Sequence, residues 1–212
     1  MYDDVYAERH FDIMRKGPHV NKARLRKMIG VGMLSAVAFV LQIMEMPMPV
    51  SPPFARLDLS DLPALIGSFA YGPLWGGAIE GIKNCLHFGQ STTGGIGELA
   101  NFVMGSSLVL PAGFIYSKDK TKRSALIGCL IGSVCMGITS AATNYYILLP
   151  LFQMFMPMDE MITAFAEFIP FIHTKLDIVL LNALPLNIAK GLLISLITML
   201  LYKRISPILK GK

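Results

Sequence analysis

Lys190, Asn187, Asn144 and Glu98 are the side chains here whose type and setting could do recognition chemistry, because each breaks into an apolar run. Lys190 is the one charge within Pro185–Tyr202 of the stretch PLNIAKGLLISLITMLLYKR. A lysine at a bilayer centre costs about 3 kcal/mol on insertion scales. Its long stem could snorkel to the interface; the stronger reading is a buried polar site facing the interior of a helix bundle. Asn187 lies three residues earlier and so shares its helix face. Asn offers a donor and an acceptor, whereas Lys offers donors only. Two Asn and one Lys could therefore read the edge of a planar heterocycle that presents N–H and C=O groups, with apolar and aromatic neighbours over its faces.

Further polar groups recur at helical spacing. Glu80, Lys83, Asn84 and His87 form a stripe in Gly76–Phe88, and Glu80 with Lys83 reads as an internal ion pair. Glu98 and Asn101 share a face in GELANF, where Glu98 either caps the helix start or joins the site. With a single buried cation, Lys190, no phosphate grip is expected. The run Gly94-Gly95-Ile96-Gly97 lacks the spacing and the preceding strand of a nucleotide loop. No nucleophile–base set, Walker motif or metal cluster is recognisable, so catalysis, ATP hydrolysis and a resident cofactor are not expected.

Composition dictates the elements that position these groups. The chain has 212 residues, 53% hydrophobic and 16% charged, with a mean hydropathy of +0.54. That excludes an ordinary soluble domain and fits a polytopic membrane protein. The net charge of +5 is not spread as a nucleic-acid surface would be: fifteen of the nineteen Lys and Arg fall before Met28, in Lys118–Arg123, or from Lys203 onward. Such clustering marks cytoplasmic segments. Cys85, Cys129 and Cys135 read as buried small hydrophobes.

The expected architecture is all-α, with six transmembrane helices and both termini cytoplasmic. Residues 1–27 form a polar, basic tail, 28–205 the six-helix substrate-binding domain, and 206–212 a short basic tail. Met28–Met44 is the first span, with a small-xxx-small face at Gly32 and Ala36 that would let another helix approach. The proline-rich Glu45–Ser60 must be an outer loop. Leu59–Tyr71 and Gly76–Phe88 are short spans joined at the turn Tyr71-Gly72-Pro73. The fourth helix opens at Gly97, and the fifth covers Ser124–Leu149 with Gly128, Gly132 and Gly137 for close packing. Leu151–Ala183 is a long outer connection, for which a lid is the natural role. Pro185 opens the sixth helix, in the first turn where its missing N–H is harmless. This places Glu98, Asn144, Asn187 and Lys190 near the outer ends of helices four, five and six, around a small-molecule pocket.

The pattern resembles the riboflavin-binding S component of energy-coupling-factor (ECF) vitamin transporters, over roughly residues 25–205. The likeness rests on DLPALIGSFAYGPLWGGAIEGIKN (Asp61–Asn84), GELANF (Gly97–Phe102), TNYY (Thr143–Tyr146) and NIAKG (Asn187–Gly191). It implies a multi-pass protein of the bacterial cell membrane that binds riboflavin as transported substrate at its outer face. Asn144, Asn187 and Lys190 would hold the isoalloxazine and nearby polar atoms, with Glu98 joining them or supporting the helix start. Gly32 and Ala36 are similar to the alanine-x-x-x-alanine signature by which S components dock on a transmembrane coupling subunit, itself driven by two ATPase subunits. Another planar vitamin or flavin mononucleotide is the alternative ligand. A small membrane enzyme using Glu98 or His87 is disfavoured, since neither has an identifiable catalytic partner, and no inverted repeat suggests a stand-alone transporter.

Overall fold

The computed structural model describes residues 22–47, 51–52, 56–91 and 93–210; the expectations for the N-terminal tail before Lys22 lie outside these. Helix α1 covers Lys22–Ile43. It starts well before the expected Met28, because the intervening Lys, Arg and Leu residues are good helix formers. A single stripe of α1 is buried, Val31, Ser35, Ala38 and Gln42, at the spacing of one helix face. Gln42 Nε2 donates to Asn84 Oδ1 at 3.2 Å and ties this stripe to the bundle. Gly32 and Ala36 lie on the exposed side, and a Cβ on Gly32 would meet nothing within 4 Å. Their small-residue face is therefore not used in packing among the described residues.

The proline-rich segment after α1 begins and ends in a minimal antiparallel ladder, β1 (Met46–Pro47) against β2 (Arg56–Leu57). Helices α2 (Asp61–Tyr71) and α3 (Pro73–His87) come next, separated by one residue. That residue, Gly72, has φ +114°, a conformation that costs an L side chain dearly, and Pro73 then opens α3 where no N–H is needed. Helix α4 (Ile96–Asp119) passes into α5 (Lys122–Thr143) through a tight turn. Thr121 caps α5, its hydroxyl accepting from Ser124 N at 3.1 Å. The basic loop that the sequence reading places inside is thus two residues of turn flanked by helical lysines, shorter than expected.

Two further boundaries differ from the sequence reading, and for one shared reason. The fifth helix does not stop at Leu149: a π-helical turn, Asn144–Leu148, leads into α6 (Leu149–Phe152). The sixth does not start at Pro185: α8 (Lys175–Asp177) opens it, then a π-helical turn Ile178–Ala183, and α9 (Leu184–Lys210) continues. Proline inside a helix lacks an N–H and its ring clashes with the carbonyl four residues back. For Pro150 and Pro185 those carbonyls belong to Tyr146 and Leu181, each inside a π turn. The wider turn absorbs the clash, so the helix runs on where the proline rule predicts a break. Thr174, with its hydroxyl on Asp177 N and the Asp177 carboxylate on Thr174 N, forms the capping box that is the real start.

Among the described residues, four helical segments are long and apolar enough to cross a membrane: Arg24–Ile43, Ile96–Asp119, Lys122–Phe152 and Lys175–Tyr202. Helices α2 and α3, of 11 and 15 residues, are shorter than a bilayer core requires. The main core joins α2, α3, α4, α5 and α9 through Leu65, Ile79, Leu108, Met136 and Ile194. Close approach of α5 to α4 needs its glycines: a Cβ would lie 2.8 Å from Ala112 O at Gly128 and 2.5 Å from Leu108 O at Gly132. Cys129 is buried as expected, but Cys85 is exposed and Cys135 half-buried, because their helix faces turn away from this core. The connection between α6 and α8 contains α7 (Met158–Ala166) and builds a second core from Leu149, Met161, Phe165, Ile172 and Ile178. It is a packed wall rather than a hanging loop.

Candidate substrate-binding site

Between the N-terminal end of α4, the C-terminal end of α5 and the first turns of α9 lies a cavity of about 570 Å³ lined by Glu98, Asn144, Asn187 and Lys190, so the four residues singled out in the sequence meet. Asn144 opens the first π turn, and its Nδ2 donates to Ser140 O at 2.9 Å and Ser140 Oγ at 3.2 Å. Asn187 sits one turn into α9 and donates from Nδ2 to Ala183 O at 2.9 Å. Each carboxamide is thus held by its own helix through the nitrogen. Phe152, Phe165, Leu149, Ile178 and Met104 supply apolar walls.

Lys190 is 7% exposed and does not snorkel. Its Nζ lies 2.9 Å from Asp61 Oδ2 and 3.2 Å from Asp58 Oδ2. Asp61 Oδ1 in turn lies 2.5 Å from Lys83 Nζ, which also reaches Glu80 Oε2 at 2.9 Å and donates to Ser60 Oγ at 2.6 Å. The expected Glu80–Lys83 pair exists as one link in a chain of five charges. The expectation of a single buried cation is corrected, since Lys83 is fully buried as well. Isolated, either ammonium would be expensive at this depth, and three carboxylates make both tolerable. Gly105 leaves room for them: a Cβ there would run into the Glu80 carboxylate and come within 2.8 Å of Asp61 Oδ1.

Asp58, in the segment between β2 and α2, lines the cavity. Its Oδ1 accepts from Ser60 N at 2.8 Å and from the Ser60 hydroxyl. Its Oδ2 accepts from Asn101 Nδ2 at 3.3 Å as well as from Lys190. Burial opposes its ionisation, but Lys190 and Lys83 more than offset that and hold its carboxyl well below the usual range.

Glu98 has partners on both oxygens. His87 Nδ1 lies 3.0 Å from Oε1, and Ser91 Oγ donates to Oε2 at 2.7 Å. Ser91 Oγ also accepts from Gly95 N at 2.8 Å, and Thr93 Oγ1 from Gly97 N at 2.9 Å. Glu98 therefore both lines the cavity and pins the glycine-rich loop to the end of α3. It is not the cap, which is Gly95 at φ +91°. Glu98 and His87, for which the sequence offers no partner, are partners of each other.

Among the cavity residues, Asp58, Asn101 and Asn182 have no site role in the sequence reading. Asp58 and Asp61 are acids three apart in DLSDL beside a long apolar run, a pattern that requires buried counter-charges. Asn101 stands out in the sequence only as sharing a face with Glu98. Asn182 lies inside the second π turn and exchanges hydrogen bonds with Ser51, 2.8 Å from its Nδ2 to Ser51 Oγ. A helix that begins at Pro185 leaves Asn182 in the outer connection, where no helical spacing relates it to Asn187.

The model of the ECF transporter substrate-specific component matches residues 26–202, from the first turns of α1 well into α9. The chain belongs to that family. The S component is 34% identical over 192 residues to the riboflavin transporter RibU of Staphylococcus aureus, spanning 90% of this chain and 96% of the relative. The riboflavin transporter FmnP of Bacillus subtilis is 30% identical, spanning 87% and 94%. A solved S component of a bacterial ECF transporter superposes with a TM-score of 0.68 at 34% identity, covering 88% of this chain and 99% of that one.

Proposed function

We propose that this S component takes up riboflavin, capturing it at the outer face of a bacterial cell membrane and delivering it inward with an ECF coupling protein and two ATPase subunits. The observation that carries the reading is the meeting of Asn144, Asn187, Lys190 and Glu98, from three separate helices, in one cavity of about 570 Å³. That volume lies within the range of ordinary small-molecule pockets. The full-length riboflavin transporters RibU and FmnP, similar over nearly their whole length, supply the ligand.

Recognition is argued from the donors and acceptors. With the Nδ2 groups of Asn144 and Asn187 tied to their helices, Oδ1 of either remains to accept the one N–H of the isoalloxazine edge. Lys190, paired with two carboxylates, keeps a third N–H for a ring carbonyl. Phe152, Phe165 and the aliphatic walls cover the ring faces. Six spans with both termini cytoplasmic put this cavity outside, with α2 and α3 as a short pair among them. The exposed Gly32–Ala36 face is the docking surface for the coupling protein.

The test is titration of the detergent-purified protein with riboflavin, read by quenching of flavin fluorescence. Binding at micromolar or lower concentration is expected, weakened in Lys190→Ala and Asn144→Ala. A colourless protein that leaves riboflavin fluorescence untouched at micromolar levels sinks the assignment.

A further inference from the structure

We propose that Asp58 is the positioning residue of this cavity, holding Lys190 of α9 and Asn101 of α4 at a fixed separation through one carboxylate oxygen; the inference rests on the riboflavin reading above. Asp58 Oδ2 stands 3.2 Å from Lys190 Nζ and 3.3 Å from Asn101 Nδ2, and all three residues line the cavity. Its other oxygen is spent on the Ser60 amide and hydroxyl, so the carboxylate is itself oriented by backbone just before α2. Asp61 cannot serve in its place, being fully buried, outside the cavity lining and with Oδ1 committed to Lys83.

The consequence lies in what the two held side chains present. Lys190 has a flexible four-carbon stem, and with Asp61 as its single anchor Nζ would swing about that oxygen. Asp58 removes the swing. Asn101 is held by its nitrogen, and its Oδ1 is a buried acceptor with no hydrogen-bond partner among the described residues. A buried acceptor left open is costly unless something fills it. Asp58 thus sets a donor on one side of itself and an open acceptor on the other, and a ligand edge with both kinds of group would satisfy the pair.

The experiment is a double-mutant cycle on the full chain in detergent, with riboflavin as the titrant: wild type, Asp58→Asn, Lys190→Met and the double variant. Asp58→Asn should bind about tenfold more weakly. In the Lys190→Met background its further effect should shrink to about threefold, because only Asn101 is left for it to position. If Lys190→Met binds too weakly to titrate, the same comparison is made on Asn101→Ala, where the Asp58→Asn loss should also shrink. Asp58→Asn within about twofold of wild type overturns the proposal. So does a loss of undiminished size in the second background. Should Asp58→Asn not purify folded, Asp58→Glu keeps the charge and moves it by one methylene: folded and weakened supports the role, folded and unweakened overturns it. A wild-type chain that ignores riboflavin takes down the substrate reading and this one with it, whereas wild-type binding with normal Asp58→Asn takes down this one alone.

Discussion

Lys83 and Lys190 carry the same charge into the same bundle, yet their surroundings give them different work. Lys83 is enclosed by Asp61, Glu80 and Ser60 and is not among the residues that line the cavity described above, whereas Lys190 is. Breaking a buried pair by removing one partner costs about 3–5 kcal/mol, because the charges left behind stay buried. Lys83→Met should therefore lower the melting temperature in detergent sharply, and an unchanged melt would refute the network as a structural element. Gly105 tests the same cluster from the other side. A methyl there meets the Glu80 and Asp61 carboxylates, so Gly105→Ala should destabilise by about 1–3 kcal/mol, the usual cost of overpacking. Gly72 is a contrasting case, with nothing within 4 Å of a Cβ but φ +114°. Gly72→Ala should cost about 1 kcal/mol or more through backbone strain with no clash, read in the same melts.

At the scale of the elements, both helices that carry the site asparagines are bent out of α geometry just before a proline. Each π turn adds a residue to a helical turn and so rotates the segment before it relative to the segment after it. Asn144 begins the first turn, and Asn182 sits within the second, with Asn187 after it. Pro185→Ala restores the missing N–H and removes the clash that the π turn absorbs. The turn should then relax toward α geometry and swing Asn182 away from Ser51. Riboflavin binding should weaken several-fold while the helical circular dichroism stays unchanged. Full-strength binding in Pro185→Ala would show that the π turn does not set the site. The wall made by α7 belongs to this scale too: Met161 and Phe165 bury themselves against Leu149 and Ile178, so the connection between α6 and α8 is held by its own core.

For the whole molecule, the exposed side of α1 stands apart from the site. Its buried stripe meets the bundle, while Gly32 and Ala36 face outward, with open space around a Cβ at Gly32. If this face receives the coupling protein, Ala36→Trp should abolish co-purification with the ATPase module and leave riboflavin titration as in wild type. Loss of both would place the face in folding instead, and loss of neither would remove it as a docking surface.

Hydropathy, basic clustering and polar residues inside apolar runs determined the helical membrane class, the ligand-contacting candidates Asn144, Asn187, Lys190 and Glu98, and the Glu80–Lys83 pair. These are local signals, written in residue type and spacing along one helix. Tertiary structure alone decided that Lys190 shares Asp61 with Lys83, that Asp58 reaches Asn101 and Lys190 at once, and that His87 meets Glu98. Those partners lie 11 to 132 positions apart in the chain, and no periodicity within a helix encodes a contact between helices. The helix ends at Pro150 and Pro185 escape the sequence for a related reason. Proline's local preference is to end a helix, and a π turn overrides it where packing on both sides holds the helix in place.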